Sequence, residues 1–267
     1  MSVQGVLLHP VKEDCPYFDG LVSINESLII KELDDNNQEN LLSMGFRHFG
    51  EFFFRPICSH CRSCIPLRIP VQEFTPSKSV RRLFNRNKHF RVTLENPPPF
   101  KEAFELYNRH KKRFKRKSDF SESYDLFVKS FFHPYPFNRV LMIKDGSRLV
   151  AVSHLDVTAN AMSAIYCYYD EAYGRYSPGK YAVYKEIQLA KELGMQWLYL
   201  GYYVEKNRHM KYKVHFKPSQ AMVTDDQWID YMDAAGKIVN PLPRPLFRLL
   251  ADYRDAAQPP GEGPAEG

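Results

Sequence analysis

Residues 96–100 read NPPPF. Three successive prolines lack the amide hydrogen that a helix or a central strand requires, so no regular element passes through them. The chain is 267 residues long, enough for one large domain or two modest ones, and the proline run favours two. The expectation is an α+β protein: a small N-terminal domain over residues 1–95, a second domain over 96–240, and an extension over 241–267. The extension ends in AAQPPGEGPAEG, a Pro/Gly/Glu-rich tail whose composition predicts disorder.

Before the prolines, LVSINESLIIKEL, FGEFFFRP and PLRIPVQEF read as strands, the last two joined by a turn that holds Cys58, Cys61 and Cys64. TPSKSVRRLFNRNKHF opens with Pro76 and Ser77 as a helix start. It places Val80, Leu83 and Phe84 on one face and Lys78, Arg81, Arg82 and Arg86 largely on the other. After the prolines, KEAFELYNRHKKRF is amphipathic, with Phe104, Leu106, Tyr107 and Phe114 as candidate core contacts. A meander of three strands follows, divided at DGS and TANA, then a loop, a helix ended by Gly194, and the strand QWLYLGYYV.

Antiparallel strands, a helix entered through a loop that ends in glycine, and a further strand make the order of a GNAT-like acyltransferase core. There the central strand splays from its neighbour, and the loop offers backbone N–H groups to a phosphate-bearing donor. Arg175 and Gly179, in RYSPGK, occupy the place of that donor loop.

Charge is unevenly spread. Between Thr75 and Lys117 fourteen Lys and Arg face three acids, a local +11 in a chain whose net charge is +6. Such a concentration is the footprint of a polyanion-binding face, with a solvated helix surface as the plainer alternative. No charged start precedes a long apolar run, and no stretch of ~18 apolar residues exists, so the expectation is a cytoplasmic protein without a membrane partner. Five cysteines without a secretory pattern point to reduced thiols or a metal site rather than a disulfide framework.

Four segments, GFRHFGEFFFRPICSHCRSCIPLRI, FTPSKSVRRLFNRNKHF, SAIYCYYDEAYGRYSPGKYAVYKEIQLAKELGMQWLYLGYYV and MKYKVHFKP, together resemble the arginyl/leucyl-tRNA–protein transferase family, in its bacterial aspartate/glutamate leucyltransferase branch. They span most of residues 15–218 in the family's order. The resemblance implies transfer of an amino acid from aminoacyl-tRNA to the α-amine of proteins that begin with Asp or Glu, a step of the N-degron (N-end rule) pathway. A tRNA donor accounts for the basic stretch, since phosphate neutralisation by Lys and Arg supplies sequence-independent affinity. The neighbouring aromatics can stack on the unpaired acceptor end.

An aminoacyl ester is already activated and an α-amine with a pKa of roughly 7.7–8.0 is partly neutral, so positioning and oxyanion stabilisation carry the reaction and no cofactor is required. The acidic acceptor side chain calls for a cation, for which bidentate arginine is suited.

On this resemblance Asp156 is a candidate to accept the amine proton or hold the ammonium, against a strand-end role in bonding a turn. Tyr168, like Tyr166, lines the donor pocket or packs against a helix. Arg47 and Arg55 are nominated for the acceptor carboxylate, against structural pairing with local acids. Lys78, Arg81, Arg82 and Arg86 are assigned to tRNA, with Lys211 and Lys213 as a second patch. The C-x2-C-x2-C turn supplies three soft ligands and Cys15, which matches a family cysteine, a fourth. Zinc or an iron–sulfur cluster held by Cys15, Cys58, Cys61 and Cys64 stands against four packed thiols.

Leucine as donor needs an apolar pocket and arginine an acidic one; length and layout favour leucine. A different class, an acetyl-CoA-dependent GNAT N-acetyltransferase, calls for a glycine-rich donor loop where Tyr176, Ser177 and Pro178 stand. A zinc-ribbon nucleic-acid module would need a second cysteine pair where only Cys15 is available.

Overall fold

The computed structural model describes residues 4–59, 61–113, 123–224 and 227–242. Most of the extension 241–267, with its tail, and the basic and apolar positions Phe114, Lys115, Arg116 and Lys117 lie outside the described residues.

The smaller of two sheets comes from the N-terminal stretch. β1 (Gln4–Leu8) and β2 (Lys12–Asp14) both pair antiparallel with the long β3 (Val22–Glu32). α1 (Asp35–Ser43) follows, its first turn closed by the Asp34 carboxylate, which accepts from Asn37 N at 2.9 Å. A hairpin of β4 (Arg47–Phe49) and β5 (Phe52–Pro56) completes the sheet in the order β1-β3-β5-β4. Gly50 turns the hairpin at φ +55° against the neighbouring helix, where a Cβ would fall 2.1 Å from the Lys129 carbonyl oxygen; only glycine permits that contact.

The chain then enters the larger sheet with β6 (Ile65–Pro70), followed by α2 (Lys78–Asn87), β7 (Arg91–Glu95), α3 (Lys101–Lys111) and α4 (Tyr124–Phe131). The meander is β8 (Asn138–Asp145), β9 (Arg148–Val157) and β10 (Ala161–Tyr169); α5 (Pro178–Glu192), β11 (Trp197–Tyr203), β12 (Ser219–Met222) and β13 (Trp228–Met232) finish the chain. The strand order is β13-β12-β6-β11-β10-β9-β8-β7, antiparallel except for β10 and β11. β6 and β7 both belong to this sheet, so the division expected at residue 95 does not coincide with a boundary between sheets. The prolines connect β7 to α3 instead.

Each face of the larger sheet carries its own core. On one, Val80 and Leu83 of α2 and Ile187 of α5 pack with Leu67, Ile69, Leu141, Ile143, Leu155 and Leu198. On the other, Leu106 of α3 and Phe127 of α4 pack with Val152 and Tyr168. Burial of each such side chain contributes roughly 1.5–3 kcal/mol, so the three-layer arrangement follows from strands apolar on both faces. α1 is tied to the tip of the β9–β10 hairpin by Glu39, whose Oε1 accepts from Thr158 Oγ1 at 2.6 Å and from Asn160 N at 2.8 Å.

Candidate active site at the parting of two strands

β10 and β11 are parallel neighbours only where Ala161–Ser163 meet Trp197–Tyr199. Beyond that β10 stays with β9 and β11 with β6, and both outer pairings shift register at the point of parting, between Ala164 and Tyr166 and between Tyr199 and Gly201. Irregularities on both flanks turn the strands away from each other. Backbone groups facing the gap lose their ladder partners, and the structure supplies one from a side chain: Arg47 Nη2, reaching in from β4, donates to the Ala164 carbonyl. Across the gap Gly201 has φ +74°, and a Cβ there would lie 3.4 Å from both Arg47 Nε and Lys213 Nζ. The glycine thus leaves room for two cationic groups against the strand.

Lys213 stands on the 3-10 turn Lys211–His215, which packs against β11. Burial, followed by the Arg47 charge, lowers its pKa to about 7, against a smaller opposing effect of Cys64. Its neighbour Lys211 remains exposed, so the two lysines expected as one patch point to different places. Burial also lowers the Arg47 pKa, opposed first by the Asp156 carboxylate and then by Tyr202, Tyr199 and Tyr17.

Asp156 lies on β9 with no exposed surface. Gln38 Nε2 donates to its Oδ2 at 2.6 Å, and His48 Nε2 lies 3.0 Å from Oδ2 and 3.1 Å from Oδ1. His48 Nδ1 is 3.0 Å from the Gly50 carbonyl, and the ring stacks on Phe53 with centroids 4.5 Å apart. Asp156 is therefore held beneath the opening by α1 and β4 rather than at a strand end bonding a turn. Sequence reasoning singled out neither Gln38 nor His48. The available signal was the inward position of His48 between Arg47 and Phe49 on a strand whose alternate residues face the larger sheet.

Tyr168 faces away from the opening. It is fully buried, with its ring against Tyr107 and Phe127, and its hydroxyl is 3.0 Å from His154 Nε2. Burial lowers the His154 pKa to about 3, so this hydrogen bond joins a neutral imidazole to the tyrosine. Of the two roles open to Tyr168, packing is the one its position shows. Arg55 is also occupied: its Nε meets Glu26 Oε2 at 2.6 Å, its Nη1 donates to the Met44 carbonyl at 3.1 Å, and its guanidinium lies over Phe46. Arg47, with no acidic ion-pair partner among the described residues, remains the arginine directed into the gap.

Lys78, Arg81, Arg82 and Arg86 are all exposed along α2, opposite buried Val80 and Leu83. Asn87, at the end of that helix, donates to the Tyr176 carbonyl at 3.1 Å and so ties the basic helix to the segment before α5. In that segment Arg175 is exposed and donates to Tyr176 Oη at 2.9 Å. Gly179 lies in the first turn of α5, where a Cβ would come 3.0 Å from the Tyr169 ring. The basic helix and the loop nominated for the donor are thus neighbours.

Cys15, Cys58, Cys61 and Cys64 border one largely apolar pocket together with Tyr17, Phe54 and Tyr202. The donor type suits zinc or an iron–sulfur cluster. Among the described residues no three Cys, His, Asp or Glu side chains are placed to hold one ion. Cys58 Sγ instead accepts from Ile24 N at 3.4 Å, and burial raises the pKa of Cys58 and, further, of Cys64.

Comparison with known proteins covers the same span. The family model described as the N terminus of arginine-tRNA-protein transferase matches residues 13–82, and the model for its C terminus matches residues 102–223. An aspartate/glutamate leucyltransferase of Campylobacter jejuni is 33% identical over 219 residues, 79% of this chain and 90% of the relative. One of Pseudomonas fluorescens is 33% identical over 198 residues, 74% and 84% of the two chains. Among solved structures, L-PGS from Bacillus licheniformis aligns with a TM-score of 0.41 at 14% identity, covering 64% of this chain and 51% of that one.

Proposed function

The chain belongs to the arginine-tRNA-protein transferase family, and from that premise we propose that it is an aspartate/glutamate leucyltransferase, moving leucine from leucyl-tRNA to the α-amine of proteins that begin with Asp or Glu. The observation that carries the site assignment is the parting of β10 and β11, into which the N-terminal hairpin sends Arg47. A strand parting beside a helix N-terminus is the ground for a GNAT-like arrangement of the larger sheet.

In the proposed reaction the neutral acceptor amine attacks the ester carbonyl of leucyl-tRNA. The C–N bond forms as the ribose oxygen departs, and that oxygen takes up the proton the amine gives. The ester is already activated, so the protein's task is to hold amine and carbonyl in line and to stabilise the oxyanion. Arg47 receives the acceptor's side-chain carboxylate in the gap. Asp156 keeps the site in register through Gln38 and His48 and supports the charge on Arg47; it acts through these groups and is a positioning residue. Lys78, Arg81, Arg82 and Arg86 hold the tRNA backbone, and the Arg175–Gly179 segment receives its acceptor end. A protein that consumes charged tRNA works in the cytoplasm, and no helix among the described residues is long and apolar enough to cross a membrane.

No cofactor enters this scheme, and the four cysteines are proposed as thiols walling the pocket beside Tyr17. Elemental analysis of purified protein tests that point: an equivalent of zinc or iron retained through gel filtration would overturn it.

The function is tested by incubating the protein with a peptide that begins with Asp and with total charged tRNA, and weighing the product. Addition of leucine is expected. Addition of arginine would move the chain to the arginyl reaction, and acetylation by acetyl-CoA without tRNA would replace the proposal by an N-acetyltransferase.

A further inference from the structure

Arg47 and Lys213 converge on one point beside Gly201, 3.4 Å from Arg47 Nε and from Lys213 Nζ. Among the described residues neither has an acidic partner within ion-pair distance. Arg47 Nη2 is used by the Ala164 carbonyl, whereas Nη1 is buried without a hydrogen-bond partner. Among the described residues no surrounding group provides an anion in contact with both cations. Burial keeps the Tyr17 and Tyr202 phenols neutral, and Asp156 is already shared by Gln38 and His48. Two half-buried cations beside each other cost free energy that the Asp156 carboxylate, in ion-pair contact with neither, offsets only in part. An arrangement of this kind gains only when an anion enters.

Resting on the acceptor reading above, we propose that Arg47 and Lys213 form a single seat for the side-chain carboxylate of the acceptor's first residue, which makes Lys213 a specificity-determining residue and not part of a tRNA-binding patch. The donors match the ligand in number: Arg47 Nη1 serves one carboxylate oxygen and the Lys213 ammonium the other. A carboxylate at the end of a short side chain can enter between diverging strands flanked by Tyr17 and Tyr202. A phosphodiester carries a nucleotide on each side and cannot enter without bringing them into the same gap. Gly201 sets the width of the seat, since any side chain there would meet both cations.

The test uses the whole chain, leucyl-tRNA and two peptides that differ only in beginning with Asp or with Asn, which has the same shape without the charge. Lys213→Met is expected to raise KM for the Asp peptide on the order of 30-fold, and to shrink the preference for Asp over Asn by a similar factor. Maximal rate and tRNA affinity should stay within about threefold, as for a residue that meets only the acceptor side chain. Lys213→Arg, which keeps the cation, should restore most of the preference. Melting temperatures of both variants separate loss of the seat from loss of folding, and the charge-keeping variant gives the answer if Lys213→Met does not fold. An unchanged preference in a folded Lys213→Met protein overturns the proposal, as does a loss carried wholly by tRNA affinity. Wild-type protein that transfers nothing to the Asp peptide would instead remove the acceptor reading on which the seat depends.

Discussion

Glu186 sits on the face of α5 turned into the sheet, with no part of it exposed. Burial raises its pKa from 4.5 to about 7, and neither carboxylate oxygen has a hydrogen-bond partner among the described residues. The unfolded chain therefore releases this proton at lower pH than the folded one. The stability due to Glu186 is complete below about pH 4.5 and is lost as pH rises through about 7, a change of about 3 kcal/mol. Glu186→Gln, which keeps the shape of the protonated acid, should match the wild type at pH 4 and exceed it by up to about 3 kcal/mol at pH 8. Urea denaturation at the two pH values reads this directly, and parallel curves would refute it. Nothing in KYAVYKEIQLAKE marks this glutamate as different from Glu192 on the same helix, because the difference lies in which side meets the sheet. Residue types announced the arginines and cysteines as candidates. Which arginine turns into the gap and which is paired with Glu26 depended on neighbours the order of residues does not name.

α2 was legible almost completely. Ser77 caps it, its Oγ accepting from Val80 N at 3.3 Å, and the expected split is the one observed, with Val80 and Leu83 buried and Phe84 half-buried on one side and four cations exposed on the other. Cap and face are properties of residues three or four apart, so a local reading suffices. Because the cations are exposed and touch little else, reversing them should alter binding without altering folding. Arg81→Glu with Arg82→Glu is expected to weaken tRNA binding at least tenfold near physiological salt and to flatten the dependence of log K on log salt by about one unit for each phosphate left without its cation. Denaturation should shift by no more than about 0.5 kcal/mol per exposed site. An unchanged salt slope would take tRNA off this face. The turn carrying Lys211 and Lys213 was read less well: two lysines on opposite sides of a 3-10 turn look like one patch in a sequence, and only the turn's geometry sends one inward.

In the whole molecule, β6 from the N-terminal family segment lies between β11 and β12 of the C-terminal one, and the two segments meet again where α1 and β4 grip Asp156. If that grip joins the halves, His48 and Asp156 must be coupled. His48→Ala alone should cost about 3–5 kcal/mol by leaving a buried carboxylate short of its partner, while the double variant with Asp156→Ala should cost less than the sum of the singles by about 1–3 kcal/mol. Additive losses in denaturant would show that the contact does not join them. The basic helix, the meander with the helix and strand after it, and the family segments were determined by the sequence alone, since each rests on periodicity, capping or composition within a few residues, whereas β1, β2, α1, β7 and α4 were not read from it. The tertiary structure decided that the proline run separates no sheets, that Tyr168 belongs to a core, that His48 and Gln38 hold Asp156, and that Arg47 and Lys213 share one gap. Residues 108, 118 and 117 positions apart make those contacts, and their meeting depends on how the sheets pair and where β10 and β11 part, which no local pattern encodes.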